Sequence, residues 1–152
     1  PFIPDFIWIY HSLFPLMIWT YIKKFASKED FKINFYALVS ATFIINLCYF
    51  IFPSFYPYPH YEVNTWSEFL TSFTHQIDGA SNTFPSGHVA YATLLFMGVR
   101  NKWYFIWMIG IMLSTLFLKQ HYILDVIVGC ILAIVSWTIS KHFVKKISLT
   151  ST

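Results

Sequence analysis

The chain has 152 residues, 57% of them hydrophobic and 22% aromatic, with only 11% charged and a net charge of +3. A soluble domain usually carries about 25% charged residues, so this composition excludes an ordinary water-facing surface, and the length allows one domain rather than two. Basic residues sit in short clusters between apolar runs, which excludes a nucleic-acid-binding stripe, and the bilayer is the partner that composition implies.

The expected fold class is all-α, an integral membrane bundle. A spanning helix needs about 20 mostly apolar residues, and five segments come near that: 6 to 22, 33 to 52, 87 to 99, 103 to 118 and 122 to 139. The third and fourth are joined only by Arg100, Asn101 and Lys102, which dictates an antiparallel hairpin. Cys48 and Cys130 lie inside apolar segments and read as small buried side chains. Residues 1 to 5 lack the basic stretch of a signal peptide.

Lysine and arginine set the orientation. Lys23, Lys24, Lys28 and Lys32 follow segment one, Arg100 and Lys102 follow segment three, and Lys141, Lys145 and Lys146 follow segment five. Five crossings put these on one face, predicted to be cytoplasmic along with the C-terminus. Lys119 is alone on the other face. The connection from 53 to 86 has no lysine or arginine and is expected to be extracytoplasmic. Within it, Trp66, Phe69, Leu70, Phe73 and Ile77 recur at helical spacing between polar residues. This predicts a short amphipathic helix over 64 to 78, lying in the interface over the bundle mouth and stopped by Gly79.

Two stretches carry chemistry. FPSGH, 84 to 88, precedes an apolar helix whose first amides lack intrahelical partners and attract anions. Ser86 adds a hydroxyl, Gly87 permits close approach to the backbone, and His88 supplies an acid–base group. In QHYILDVIVG, 120 to 129, His121 and Asp125 share a helical face. Asp125 is therefore expected to accept a hydrogen bond from one imidazole nitrogen, leaving the other basic. Gly129, one turn on, would let another helix pack close. Both histidines fall at one membrane depth on one side, an arrangement suited to attack on phosphorus.

P-S-G-H at 85 to 88 followed by S-T-x5-H-x3-D at 114 to 125 resembles the type 2 phosphatidic acid phosphatase superfamily. The resemblance implies a six-helix bundle, with a first helix before Pro1. It also implies metal-independent, cofactor-free chemistry on a lipid phosphate: His121 as nucleophile, Asp125 orienting it, His88 as general acid and then base, and Ser86 and Gly87 on phosphate oxygens. The family's first motif, K-x6-R-P, is missing, and Thr115 stands where its third motif carries arginine, which makes Thr115 a candidate phosphate-binding residue beside Ser86, Gly87 and Lys119. Lys119 is the remaining cation, able to contribute only if 116 to 120 form a loop or a helix start. The K-Q-H-Y-x-x-D wording is closer to the branch with inositol-phosphoceramide and sphingomyelin synthases. The leading expectation is a lipid phosphatase acting on a phosphomonoester or pyrophosphate at the non-cytoplasmic face. The alternatives are a lipid phosphotransferase and an inactive membrane scaffold.

Overall fold

The structure, a computed structural model, describes residues 1–23, 25 and 27–150, with side chains as far as Ile147. Lys24, one of the predicted orienting lysines, lies outside the described residues. A 3-10 turn at Pro4–Phe6 leads into α1 (Ile7–His11) and α2 (Leu13–Lys23), followed by α3 (Lys28–Ile51), α4 (Trp66–Asp78), α5 (Gly87–Val99), α6 (Lys102–Phe117) and α7 (Ile123–Thr150). Among the described residues there is no strand, only an isolated bridge between Phe55 and Ser81. The all-helical expectation holds.

The starts follow local capping chemistry. Ser27 caps α3 by accepting from the Asp30 amide, and Asn101 caps α6 by accepting from Trp103. Thr65 and Glu68 form a reciprocal capping box that opens α4, and Gly79 closes it with φ +64°. The first apolar segment is not one helix: it breaks at Ser12, whose amide is shared between the Trp8 and Ile9 carbonyls.

Among the described residues two helices, α3 and α7, are long and apolar enough to cross a membrane, where the sequence reading expects five spans. With 13 and 16 residues, α5 and α6 reach only about 20 and 24 Å at 1.5 Å per residue. Their bounds agree within one residue with the 87 to 99 and 103 to 118 read from the sequence; the difference lies in length, which for these two helices falls short of a full span.

Helix direction follows from specific bonds. Tyr49 near the end of α3 donates to the Pro85 carbonyl before α5, while Asn34 near the start of α3 donates to the Leu94 carbonyl late in α5. The Ser86 amide donates to the Asp125 carbonyl, joining the starts of α5 and α7. Thr20 late in α2 meets Tyr104 early in α6 at 2.7 Å. Thus α3 ends, α5 begins, α6 ends and α7 begins at one pole. The described basic residues other than Lys119 gather at the opposite pole.

The burial pattern is turned outward. Helices α3, α5 and α7 enclose Ile45, Leu94 and Trp137 together with Ala37, Ala41, Ala90 and Ala133, and the four alanines permit close approach. Phe43, Phe50, Ile131, Ile139 and Phe143 face out, while Thr20, Asn34, Ser136 and Ser140 are buried. Gly129 shows how tight the packing is. A Cβ there would stand 2.6 Å from the Ser86 carbonyl oxygen, so only glycine lets α5 and α7 approach as they do.

Candidate active site

At the pole where α5 and α7 begin lies a cavity of about 260 Å³ lined by Tyr10, Tyr49, Asp78, Gly79, Ser81, Asn82, Thr83, His88, Gln120 and His121. The two histidines singled out in the sequence therefore share one chamber.

His121 is buried, with Nδ1 2.6 Å from the Thr83 carbonyl oxygen. A carbonyl can only accept, so Nδ1 carries the proton and the lone pair of the neutral ring sits on Nε2. The orienting partner is thus a backbone oxygen of the long loop and not the expected carboxylate. Asp125 Oδ2 lies 3.6 Å from Nδ1 and is used by the Tyr122 amide at 2.8 Å. Asp125 closes the first turn of α7, as the acid of a capping box does, and adds negative charge beside the imidazole.

His88 occupies the first turn of α5. Its ring stacks on Tyr10 at 4.0 Å between centroids and meets the edge of Phe14. Nε2 is buried and has no hydrogen-bond partner. A buried orphan polar atom on a cavity wall is costly unless a ligand satisfies it.

Ser86 and Gly87, expected to cradle phosphate, do not line the chamber. The Ser86 amide is taken by the Asp125 carbonyl, and its hydroxyl faces the Val89 amide at 3.4 Å. Gly87 is buried, with Tyr49, Tyr91 and Ile45 nearest to where a Cβ would stand. Thr115 is fully buried and works through its backbone: its carbonyl accepts from the Gln120 and His121 amides, shaping the turn after α6.

Lys119 meets the loop condition set for it. The chain leaves the helix after Phe117, and Lys119 takes a left-handed conformation with φ +58°. It lines a neighbouring, more apolar cavity of about 280 Å³ with Tyr56, Leu116, Phe117, Tyr122 and Ile123, and His121 lies on the wall of both.

Sequence reasoning missed Tyr10, Tyr49, Asp78, Asn82, Thr83 and Gln120. Gln120 turns Oε1 to the Tyr58 hydroxyl at 3.1 Å and leaves Nε2 buried without a partner. Asp78, the last residue of α4, accepts from the Tyr10 hydroxyl at 3.3 Å. Asp78 is an exposed residue, and partial desolvation on its chamber side raises the carboxyl above its ordinary value, while the Tyr10 hydroxyl and the nearby histidines 11 and 121 pull it down. The available signal was helical phase: Asp78 shares a face with Thr71, Thr74 and His75, the polar side of α4.

That side faces inward. Ser67, Thr71, Thr74 and His75 are buried while Trp66, Phe69, Phe73 and Ile77 are exposed, Trp66 at 77%. Trp8 donates to Ser67, the His11 ring meets Thr74 at 2.8 Å, and His75 Nε2 lies 3.0 Å from the Leu118 carbonyl. His75 also stacks on Tyr58 at 3.7 Å, so it has a structural place beside the chamber. His60 lies with Tyr58, Tyr61 and Ser72 on a separate surface hollow.

Comparison with known proteins decides the family. The PAP2 superfamily model matches residues 6–139. The chain belongs to the PAP2 superfamily. No curated protein and no solved structure matches it. PAP2 membership carries phosphatase- or phosphotransferase-type activity, and the match spans both P-S-G-H and H-x3-D, the stretches that bring His88 and His121 to the chamber. Neither lysine nor arginine lines the chamber.

Proposed function

We propose that this PAP2 protein is a membrane-embedded enzyme that cleaves a lipid phosphate ester at the non-cytoplasmic face through a phosphohistidine on His121. One observation carries the reading: His88 and His121 share a chamber, His121 anchored through Nδ1 and His88 presenting a buried, unpartnered Nε2. The His121 Nε2 lone pair attacks phosphorus, the P–O ester bond breaks, and His88 gives its proton to the leaving oxygen. In the second step an acceptor O–H passes its proton to His88, its oxygen bonds to phosphorus, and the N–P bond breaks. Gln120 Nε2 supplies a neutral donor for a phosphate oxygen, and Lys119 approaches from the adjoining cavity.

The bilayer placement is supported by the outward apolar faces of α3 and α7 and by the inverted α4. Five crossings, with α5 and α6 spanning a locally thinned layer, put the basic pole and the C-terminus in the cytoplasm.

Between hydrolysis of a phosphomonoester and transfer from a phosphodiester, the chamber favours transfer. Its wall carries no lysine or arginine, and a diester with one negative charge needs less cationic stabilisation than a dianionic monoester. The deciding experiment is rapid acid-quench of purified protein with phosphorus-labelled lipids, with His121→Ala in parallel. Acid-labile label on the wild type, absent from His121→Ala, is expected, and its passage to an added alcohol in preference to water marks a transferase. No labelled protein with any lipid would sink the reading and favour the scaffold alternative.

A further inference from the structure

The carbonyl that holds His121 belongs to a peptide group gripped from its other side. The Thr83 carbonyl, 2.6 Å from His121 Nδ1, and the Phe84 N–H share one planar unit and point opposite ways from it. The Phe84 amide donates to the Ser54 hydroxyl oxygen at 2.8 Å. The Thr83 amide donates to the same oxygen at 3.0 Å, and the Thr83 hydroxyl meets it at 2.9 Å. Two amides fill both lone pairs of a hydroxyl. Nearby, residues 54 to 56 pair with 80 to 82 through the backbone. The Asn82 amide donates to the Ser54 carbonyl and the Tyr56 amide to the Ala80 carbonyl, each at 2.9 Å, around the bridge between Phe55 and Ser81. Where that pairing stops, the Ser54 side chain extends it to the peptide that touches His121.

We infer that Ser54 is a positioning residue for the nucleophile, acting on His121 through the Thr83–Phe84 peptide. The inference rests on His121 being the nucleophile proposed above. Because the peptide is planar, fixing its N–H on Ser54 also fixes where its carbonyl points. An amide that donates makes the carbonyl of its own peptide group a better acceptor. Ser54 thus both aims and strengthens the bond that keeps the proton on Nδ1, and the Nε2 lone pair that attacks phosphorus depends on that bond. The nearest carboxylate does not duplicate this hold, since Asp125 Oδ2 stands 3.6 Å from Nδ1 and accepts from the Tyr122 amide. Without the Ser54 oxygen, both amides would turn to water at this half-buried site, and the peptide could swing its carbonyl off the imidazole. Ser54 does not line the chamber, so its loss should act on the rate of attack and not on substrate binding.

A series at this one position is the test. Ser54→Thr keeps the hydroxyl, Ser54→Cys keeps the shape with a weak acceptor, and Ser54→Ala removes the acceptor. Each protein in detergent is given phosphorus-labelled short-chain phosphatidylcholine or phosphatidic acid, and phosphohistidine formation is followed by rapid quench. Ring-nitrogen NMR of histidine-labelled protein, with the His121 signals assigned through His121→Ala, reads the tautomer without substrate. Wild type is expected to carry the His121 proton on Nδ1. Ser54→Cys and Ser54→Ala should slow phosphohistidine formation at saturating lipid by about tenfold or more, with the half-saturating concentration unchanged. They should also shift His121 toward a mixture of tautomers, and Ser54→Thr should restore both readouts. If Ser54→Ala does not fold, Ser54→Cys against Ser54→Thr decides. The inference is overturned if Ser54→Cys matches wild type, if Ser54→Thr is as impaired as Ser54→Cys, or if the rate falls while the His121 signals stay put. A phosphohistidine formed equally fast by every variant sinks this inference alone. A tautomer shift in Ser54→Cys with no phosphohistidine on either lipid counts against the proposed reaction and leaves the link from Ser54 to His121 standing.

Discussion

Nδ1 of His121 lies 2.6 Å from the backbone carbonyl oxygen of Thr83, closer than any side chain comes to that nitrogen. The proton position on the ring is thus set by a loop that packs over it. Asp125 stands beside the imidazole, Oδ2 3.6 Å from Nδ1, and holds the start of α7 through the Tyr122 amide. Replacing it should separate the two roles. Asp125→Asn is expected to slow phosphoenzyme formation by about 10- to 100-fold, the usual scale for outer partners of a working histidine, with the fold intact. Asp125→Ala should lose in addition about 1 kcal/mol of stability as a cap is removed. Rapid quench and thermal unfolding in detergent read the two effects. If Asp125→Asn were as inert as His121→Ala, the carboxylate would be doing more than tuning.

Tyr10 joins two contacts in one side chain, its ring on His88 and its hydroxyl on Asp78. Tyr10→Phe keeps the stack and is expected to retain most of the single-turnover rate. Tyr10→Leu loses the stack and should lower that rate by about tenfold or more, since misplacing a general acid is costly. The comparison fails if the two variants behave alike.

Gly129→Ala is expected to destabilise by about 1–3 kcal/mol and to reduce activity with it. The added carbon would fall 2.6 Å from the Ser86 carbonyl, a backbone atom that cannot swing away. Gly110→Ala is the control. Its carbon would meet only the Ile9 Cγ2 methyl at 3.3 Å, a side-chain end able to shift by a few tenths of an ångström. Unfolding midpoints should therefore fall clearly for the first and little for the second.

How much of this was legible beforehand depends on which interactions decide each feature. Helices α3, α5, α6 and α7 and the capped α4 follow from apolar period and turn residues, so their existence could be read directly. The role of Gly129 could be read too, because its spacing from Asp125 fixes its face. The chamber wall could not. Thr83, Asn82 and Gln120 are loop residues whose meeting with His88 depends on how the segment from 53 to 86 folds back, a long-range contact with no periodic signal. The same limit applies to Ser86: a free amide at the helix start and one bonded to the Asp125 carbonyl read identically in sequence.

His75 gives a pH dependence of defined sign. Burial lowers its pKa below the ordinary 6.5, partly offset by the Leu118 carbonyl. The folded protein therefore resists protonation that the unfolded chain accepts. Stability is full above about pH 6.5, falls as pH drops below it, and stops falling once the folded value is passed. Thermal unfolding between pH 7.5 and 5 should show this slope, and His75→Gln should flatten it. An unchanged slope in His75→Gln would move the effect to another group.

On the proposed lipid activity, the outward-facing aromatic side of α4 sets the dimensionality in which this protein would meet its substrate. With Trp66, Phe69 and Phe73 turned away from the bundle and Asp78 on the chamber wall at the end of α4, a lipid substrate of the proposed kind would reach the chamber by sliding within its own leaflet. Encounter is then a surface process: turnover follows the mole fraction of substrate among its neighbours in the leaflet, and diluting the vesicles in buffer leaves it unchanged.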